Sequence, residues 1–174
     1  PDGTGDMTKT IWHNTDIAVG AGLSADSVVI GHGNNDIATN TIVGTNVLRL
    51  NTVGANNTGI GYNALSKNTG GQENVAVGAS ALTMNSTGAF NVAIGTNALS
   101  KNNSNVLNVA VGQDALKNNA QNYNTAIGGS SMLNNVGGQN NVAVGYNSLL
   151  GNISGNSNTA VGRQALATNK ADQN

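Results

Sequence analysis

The sequence lacks several features that most soluble proteins carry. It has no cysteine, one proline, five aromatic residues and only 9% charged residues among 174. Without cysteine there can be no disulfide framework, thiolate metal site or cysteine nucleophile. Seven Lys and Arg at a net charge of −1 provide no clustered cations, so nucleic-acid binding is not expected.

The chain also lacks a membrane span and a secretory leader by sequence criteria. No apolar run approaches the ~18 residues of a spanning helix, so this segment is not expected to insert into a membrane. The first residues, Pro1-Asp2-Gly3, do not form a charged start followed by an apolar core. The missing initial Met predicts a processed chain or an excised fragment.

What the chain has in abundance is Asn and Gly, and they recur in a repeat that reads N-[VT]-A-[VI]-G-x-x-[AS]-[LM]-x-x-N. The repeat glycines are Gly61, Gly78, Gly95, Gly112, Gly128, Gly145 and Gly162. The asparagines seven places later are Asn68, Asn85, Asn102, Asn119, Asn135, Asn152 and Asn169. The period is therefore 17, with a single interval of 16 between Gly112 and Gly128.

This period predicts an all-β parallel solenoid, a β-roll built of 17-residue coils. Each copy offers one short strand with β-branched residues at alternate positions, and it cannot bury a face unless copies stack. Antiparallel hairpins would need tight-turn signals, yet no Asn-Gly step occurs. Stacking predicts ladders of Asn side chains at the turns, where Asn and Gly tolerate left-handed backbone.

An alanine at the centre of each predicted strand is never enlarged and once becomes Gly59. Strict smallness suggests that something packs closely against both faces of the strand. A thin coil cannot cover both of its own faces, so the sequence predicts a homo-oligomer. Which face points inward stays open.

The repeat divides the chain into four parts. Residues 1–13 are predicted to be a tail or cap, and residues 14–56 a stretch of shorter, irregular coils. Those coils would end at Gly20, Gly31, Gly44 and Gly54. Residues 57–169 form the seven-coil regular roll, and residues 170–174 the fragment end.

The signature N-[VT]-A-[VI]-G resembles the head repeats of trimeric autotransporter adhesins (YadA-like heads) and related repeats of phage, viral and bacterial tail fibres. The resemblance covers about residues 14–169. In the adhesin heads the repeat is nearer fourteen residues, so the longer form here is more similar to the fibre proteins. The resemblance implies a left-handed β-roll, a homotrimer, and an extracellular location on a bacterial surface or a virion. It also implies a non-enzymatic role in spacing or presenting a receptor-binding surface, with no catalytic residues.

Three patterns of chemistry compete with a purely structural interpretation. Gly20-Ala21-Gly22-Leu23-Ser24-Ala25 fits a dinucleotide loop loosely but has no room for the following helix. His13 and Asp16 could belong to a catalytic triad with a serine, but the sequence contains no G-x-S-x-G nucleophile elbow. The isolated Asp residues near the start lack the spacing of a calcium loop, and a glycan-cleaving carboxylate pair is not evident. No catalytic residue, metal or cofactor is therefore expected.

Aromatic residues are the best candidates for contacts with a glycan or protein receptor. Trp12, beside His13, is one candidate, although it is more readily explained as a cap on the open end of the roll. Tyr62 and Tyr146 occupy equivalent places five coils apart, roughly 24 Å by the strand spacing, and cannot form one platform within a chain. The alternative function is a monomeric carbohydrate- or ice-binding solenoid. A regular threonine lattice for ice is missing, because Val alternates with Thr58, Thr125 and Thr159.

Overall fold

The computed structural model describes residues 23–25 and 28–168. They form one ten-stranded sheet in which the strands follow chain order. The strands are β1 (Leu23–Ala25), β2 (Val28–Gly31), β3 (Thr41–Val43), β4 (Thr58–Ile60), β5 (Val75–Val77), β6 (Val92–Ile94), β7 (Val109–Val111), β8 (Thr125–Ile127), β9 (Val142–Val144) and β10 (Thr159–Val161). A 3-10 turn, η1, covers Asn34–Asp36.

Strands β3 to β10 are all parallel, and each pairs with the same positions of the next coil. Ala76 lies beside Ala93 and Ala93 beside Ala110, for example, so like residues stack on like. These pairings give about seven turns with the period of the sequence repeat. The predicted all-β parallel solenoid with 17-residue coils is thereby confirmed.

The N-terminal part differs from the predicted run of short parallel coils. β2 pairs antiparallel with both β1 and β3, so the chain reverses direction twice here instead of coiling. η1 lies in the second of these connections, between β2 and β3. The regular coils begin at Thr41, because β3 already pairs in parallel with β4 one period later. The predicted start at residue 57 is therefore one coil too late. The segment ending at Gly54 is not a strand but the turn of that coil, and it stacks on the turn ending at Gly71. The candidate coil ending at Gly20 lies outside the described residues.

The interior of the coil is filled by the small residues of the strand. The central strand position is fully buried in β5 to β9, whereas the β-branched residues on either side of it are half-buried or exposed. The inward face is therefore the alanine face. Smallness of this column follows from the packed interior alone, so the inference that it requires contact on both faces is wrong: a strand side chain points to one face only.

A column of large side chains packs against these alanines. Its members are all fully buried: Leu48, Leu65, Leu82, Leu99, Leu116, Met132 and Leu149. Their backbone φ values lie near +50°, in the left-handed region. Left-handed backbone was predicted for the Asn columns, but Asn68 and its described equivalents do not adopt it. Asn63, Asn97 and Asn147, each two residues before a buried leucine, do adopt it.

The turn geometry explains the positive φ of the buried leucines. Ser66 donates its N–H to the carbonyl of Asn63, and Leu65, third in that turn, has positive φ as a type II turn requires. The strain costs about 1–2 kcal/mol, while burying a leucine side chain gains about 1.5–3 kcal/mol. Burial of the leucine side chain therefore offsets the strain of its left-handed backbone.

Two Asn ladders run through the interior, and both are buried. In the predicted ladder, Asn68 donates to the side-chain oxygen of Asn51 at 3.0 Å, and Asn85 donates to that of Asn68 at 2.8 Å. The second ladder consists of the Asn before each strand. Asn74 donates its backbone N–H to the side-chain oxygen of Asn57 at 3.0 Å. The prediction that Asn amides bond from coil to coil is confirmed.

The ladders meet at one turn carbonyl in each regular coil. Gly71 O accepts bonds from Asn57 Nδ2 at 2.8 Å and from Asn68 Nδ2 at 2.9 Å. The 16-residue coil keeps this arrangement: Gln121 O accepts bonds from Asn108 Nδ2 at 2.9 Å and from Asn119 Nδ2 at 2.6 Å. The ladder of side chains is interrupted there, because the buried Oδ1 of Asn102 is left without a hydrogen-bond partner.

Candidate interaction surface

The outer sheet face is formed by the strand residues whose side chains point away from the coil interior. It consists of the first and last residues of β3 to β10, all Val, Ile or Thr. Ile60, Ile94, Ile127 and Val161 are between 38% and 70% exposed. No charged side chain occupies any of these positions. The result is a narrow apolar strip along the described roll.

Two further columns border this strip, and we call them the leading edge and the trailing edge. The leading edge lies two residues before each strand from β4 to β10: Asn56, Glu73, Phe90, Leu107, Tyr123, Asn140 and Ser157. The trailing edge lies two residues after each strand: Tyr62, Ala79, Thr96, Gln113, Gly129, Tyr146 and Arg163. Each edge thus carries one formal charge, Glu73 on the leading edge and Arg163 on the trailing edge.

Backbone hydrogen bonds hold each edge in register with the coils. Phe90 donates its N–H to the carbonyl of Gln72 at 3.1 Å, and Leu107 does the same to Ala89 at 3.2 Å. On the other side, Ser80 bonds back to the carbonyl of Tyr62 at 2.9 Å. Each strand and its two edge residues therefore define one level of the roll.

The structure places Tyr62 and Tyr146 on the trailing edge, five levels apart. They are 57% and 53% exposed. The ring of Tyr146 leans over the preceding level, with Cδ2 3.5 Å from the place where a Cβ of Gly129 would stand. Their proposed contact with a ligand stays a prediction. Trp12, His13 and Asn169 lie outside the described residues.

Sequence reasoning missed an apolar cluster on the leading edge. Phe90, Leu107 and Tyr123 occupy three successive levels and are 44%, 49% and 50% exposed. A signal was available, because each of them directly precedes a repeat Asn. It was overlooked because the apolar residues at this position are interrupted by polar ones in the other coils.

The N-terminal end of the described roll is closed by the segment that includes η1. Asn34 Nδ2 donates to Asn51 O at 3.0 Å, and Asn35 Nδ2 donates to Thr52 O at 3.1 Å. The bond to Thr52 O takes the place of the one that a preceding coil would supply, as Thr52 N supplies it to Thr69 O. Residues 33–36 thus cap the described roll. Residues 1–13, predicted to be a tail or cap, lie outside the described residues.

A cavity of about 250 Å³ lies beside this cap and is lined by both apolar and polar residues. Ile42 and Val47 are among the apolar residues that line it, and His32, Asp36 and Arg49 are among the polar ones. His32 is oriented by a 2.7 Å contact between Nδ1 and the carbonyl of Asn40. The cavity is smaller than the roughly 300–1,000 Å³ of typical ligand pockets.

Within the described ranges, no group of three or more His, Asp or Glu residues could hold a metal ion. Nor does that part of the chain contain a helix long and apolar enough to cross a membrane. No protein-family model, curated protein or solved structure matches this chain.

Proposed function

We propose that this chain is a non-enzymatic segment of an extracellular trimeric fibre or adhesin, which spaces or presents a receptor-binding surface. The observation that carries the proposal is the uncharged outer sheet face. Exposed apolar strips of this kind mark surfaces that another protein covers. Every coil contributes the same residue types, so a second copy of the roll offers a matching strip along its whole length.

The mechanism of such a segment is mechanical. Backbone bonds between coils and two buried Asn ladders make a continuous lattice along the chain axis, which resists bending. Three parallel copies would multiply weak contacts with a cell-surface glycan or protein receptor. The extracellular setting on a bacterial surface or virion rests on the resemblance of the N-[VT]-A-[VI]-G repeat to adhesin heads and tail fibres.

Sedimentation equilibrium tests the assembly directly. A homotrimer has three times the 17.4 kDa of one chain, about 52 kDa. Replacing Ile94 by Lys should dissociate the trimer, because a desolvated lysine in each interface would have no partner. Lys101→Asn, an exposed change on another side of the coil, serves as the control. A wild-type mass equal to that of a single chain would contradict the proposal.

Receptor binding is tested by presenting the purified trimer to a broad glycan array. Binding that is lost on Trp12→Ala would support a role as the adhesive head, whereas no binding would favour a spacer. A monomer that binds carbohydrate or produces thermal hysteresis in ice would instead support the alternative of a monomeric surface-binding solenoid.

A further inference from the structure

The two edges of the outer sheet face carry large residues at different levels. At β4 and β9 the trailing edge carries Tyr62 and Tyr146, and the leading edge carries Asn56 and Asn140. At β6 to β8 the relation reverses: Phe90, Leu107 and Tyr123 lie on the leading edge, opposite Thr96, Gln113 and Gly129. No level has a large apolar or aromatic residue at both of its edge positions, although the ring of Tyr146 extends over Gly129 at the level of β8.

This arrangement matters because the strip between the edges cannot fix the axial position of one copy relative to its neighbour. Val, Ile and Thr recur at nearly every level, so two copies that slip by one coil would bury almost the same strip. Repeat surfaces of this kind specify register weakly unless some feature interrupts the repetition. The two edges contain such an interruption.

The strip is also narrow for a stable interface. Seven rises of ~4.8 Å and strands of three residues give roughly 340 Å². A standard interface buries about 800 Å² on each partner. Contacts beyond the strip are therefore needed, and the two edges are the nearest exposed surface.

We propose that the leading edge of one copy packs against the trailing edge of the next at the same level, in a closed head-to-tail ring, and that the alternating large residues fix the axial register. The inference rests on the proposed trimer. In a cyclic assembly, each interface joins two different patches, one from each neighbour. Phe90 then meets Thr96 of the next copy, and Tyr62 meets Asn56.

A slip by one level would bring mismatched residues together. In a closed ring, moving one copy by one coil shifts its two interfaces in opposite directions. At one interface Tyr62 then lies against Glu73 and Tyr146 against Ser157. At the other, Phe90 lies opposite Gln113 and Tyr123 opposite Tyr146, so that two large residues compete for one space. Crowding at one of the two interfaces therefore opposes a slip of that copy in either direction.

Engineered cysteines test the pairing, because the natural chain contains none. Leu107→Cys with Gln113→Cys places the two thiols at one level but on opposite edges of the same chain. Five residues lie between them, and strand β7 alone spans roughly 10 Å of this stretch, which is too far for an internal disulfide. Mild oxidation should therefore link three chains into a covalent trimer on a non-reducing gel.

Two matched controls define the outcome. Leu107→Cys with Ala79→Cys displaces the second thiol by two levels, roughly 10 Å, and should give little covalent trimer. Leu107→Cys alone should give none, because like edges do not meet. Equal linking by both double variants would overturn the register, and so would no linking in a chain that sediments as a trimer.

A size-exchange experiment provides an independent measurement. Thr96→Phe should raise the trimer dissociation constant about tenfold or more, because two large residues would then face each other at β6. Adding Phe90→Asn, which leaves a large residue on the trailing edge only, should restore assembly. Asn suits the positive φ of 59° at this position and stands at the equivalent Asn56 and Asn140. Ser104→Phe, exposed in a turn, is the control for added apolar surface.

The failures of the two proposals are distinguishable. A wild-type chain that sediments as a monomer would overturn both the trimer and the edge pairing. A trimeric wild type in which Phe90→Asn does not rescue Thr96→Phe would overturn the edge pairing alone.

Discussion

Gly59 and Val47 form a size-compensating pair in the interior of the first coil. A methyl group added to Gly59 would collide with Cγ1 of Val47. In the next six coils the residue equivalent to Val47 is Ala or Ser, and the residue equivalent to Gly59 is Ala. The first coil thus accommodates a larger side chain at Val47 because the facing position is a glycine.

This pair predicts a rescue. Gly59→Ala should destabilise the protein by about 1–3 kcal/mol through overpacking, and Val47→Ala by roughly 1–2 kcal/mol through a small cavity. The double variant reproduces the consensus coil and should be more stable than the sum of the single changes implies. Urea denaturation of all four proteins measures the coupling. Strict additivity would show that the two sites do not compensate each other.

The repeat glycines provide a second prediction. Gly78 has a φ of +130°, and a Cβ there would lie 2.7 Å from the carbonyl of Gly95 in the next coil. Gly78→Ala combines backbone strain with a clash and should cost about 3 kcal/mol or more. Gly70→Ala is the matched control, because its nearest contact would be an ordinary 3.6 Å to Val53. Equal thermal stability of the two variants would contradict this account.

The central Asn ladder provides a third prediction. Asn85 donates to Asn68 and accepts a 2.9 Å bond from Asn102. Asn85→Ala leaves buried partners unsatisfied and should lower the free energy of unfolding by about 2–4 kcal/mol. Asn103→Ala, at an exposed neighbouring position, should change it by less than about 0.5 kcal/mol. Chemical denaturation compares the two, and a small effect at Asn85 would mean that the ladder contributes little to stability.

The short coil predicts a stabilising insertion. One glycine inserted between Gln121 and Asn122 would restore the N-x-x-G-x-x-N spacing from Asn119 to Asn124. Asn119 could then bond to the unpartnered Oδ1 of Asn102, and stability should rise by about 1 kcal/mol. A glycine inserted beside the exposed Ser104 should instead destabilise, because it lengthens a regular coil. A lower melting temperature for the first insertion would contradict the prediction.

Asp114 predicts a small pH dependence. Burial raises the pKa of its carboxyl, but hydrogen bonds from Lys117, Asn97 and Gln113 outweigh burial, and the pKa lies below its ordinary value. Because the folded pKa is depressed, the contribution to stability is present above the unfolded pKa of about 4 and is lost as the pH falls through the folded value. Asp114→Asn should weaken this acid dependence in denaturation curves measured across pH. An unchanged slope would exclude Asp114 as its source.

The sequence predicted the period, the parallel stacking and the Asn ladder because identical spacing forces identical residues into columns. The absence of Asn-Gly steps, which are the usual turns of tight hairpins, favoured parallel coils over hairpins. The N-terminal hairpin was not predicted, since Val28–Gly31 has the same β-branched character whether its neighbour is parallel or antiparallel. Likewise, Phe90 and Tyr123 became a cluster only when the coils were placed in register.

By itself, the sequence determined that each strand has one small face and one β-branched face, because alternation along a strand has a period of two. Only the tertiary structure decided which face lies inside. Larger apolar residues usually occupy a core, but here Leu65 and its equivalents, together with the two Asn ladders, already fill the coil. The remaining space admits a methyl group, so the alanines turn inward and the valines and isoleucines form the outer sheet face.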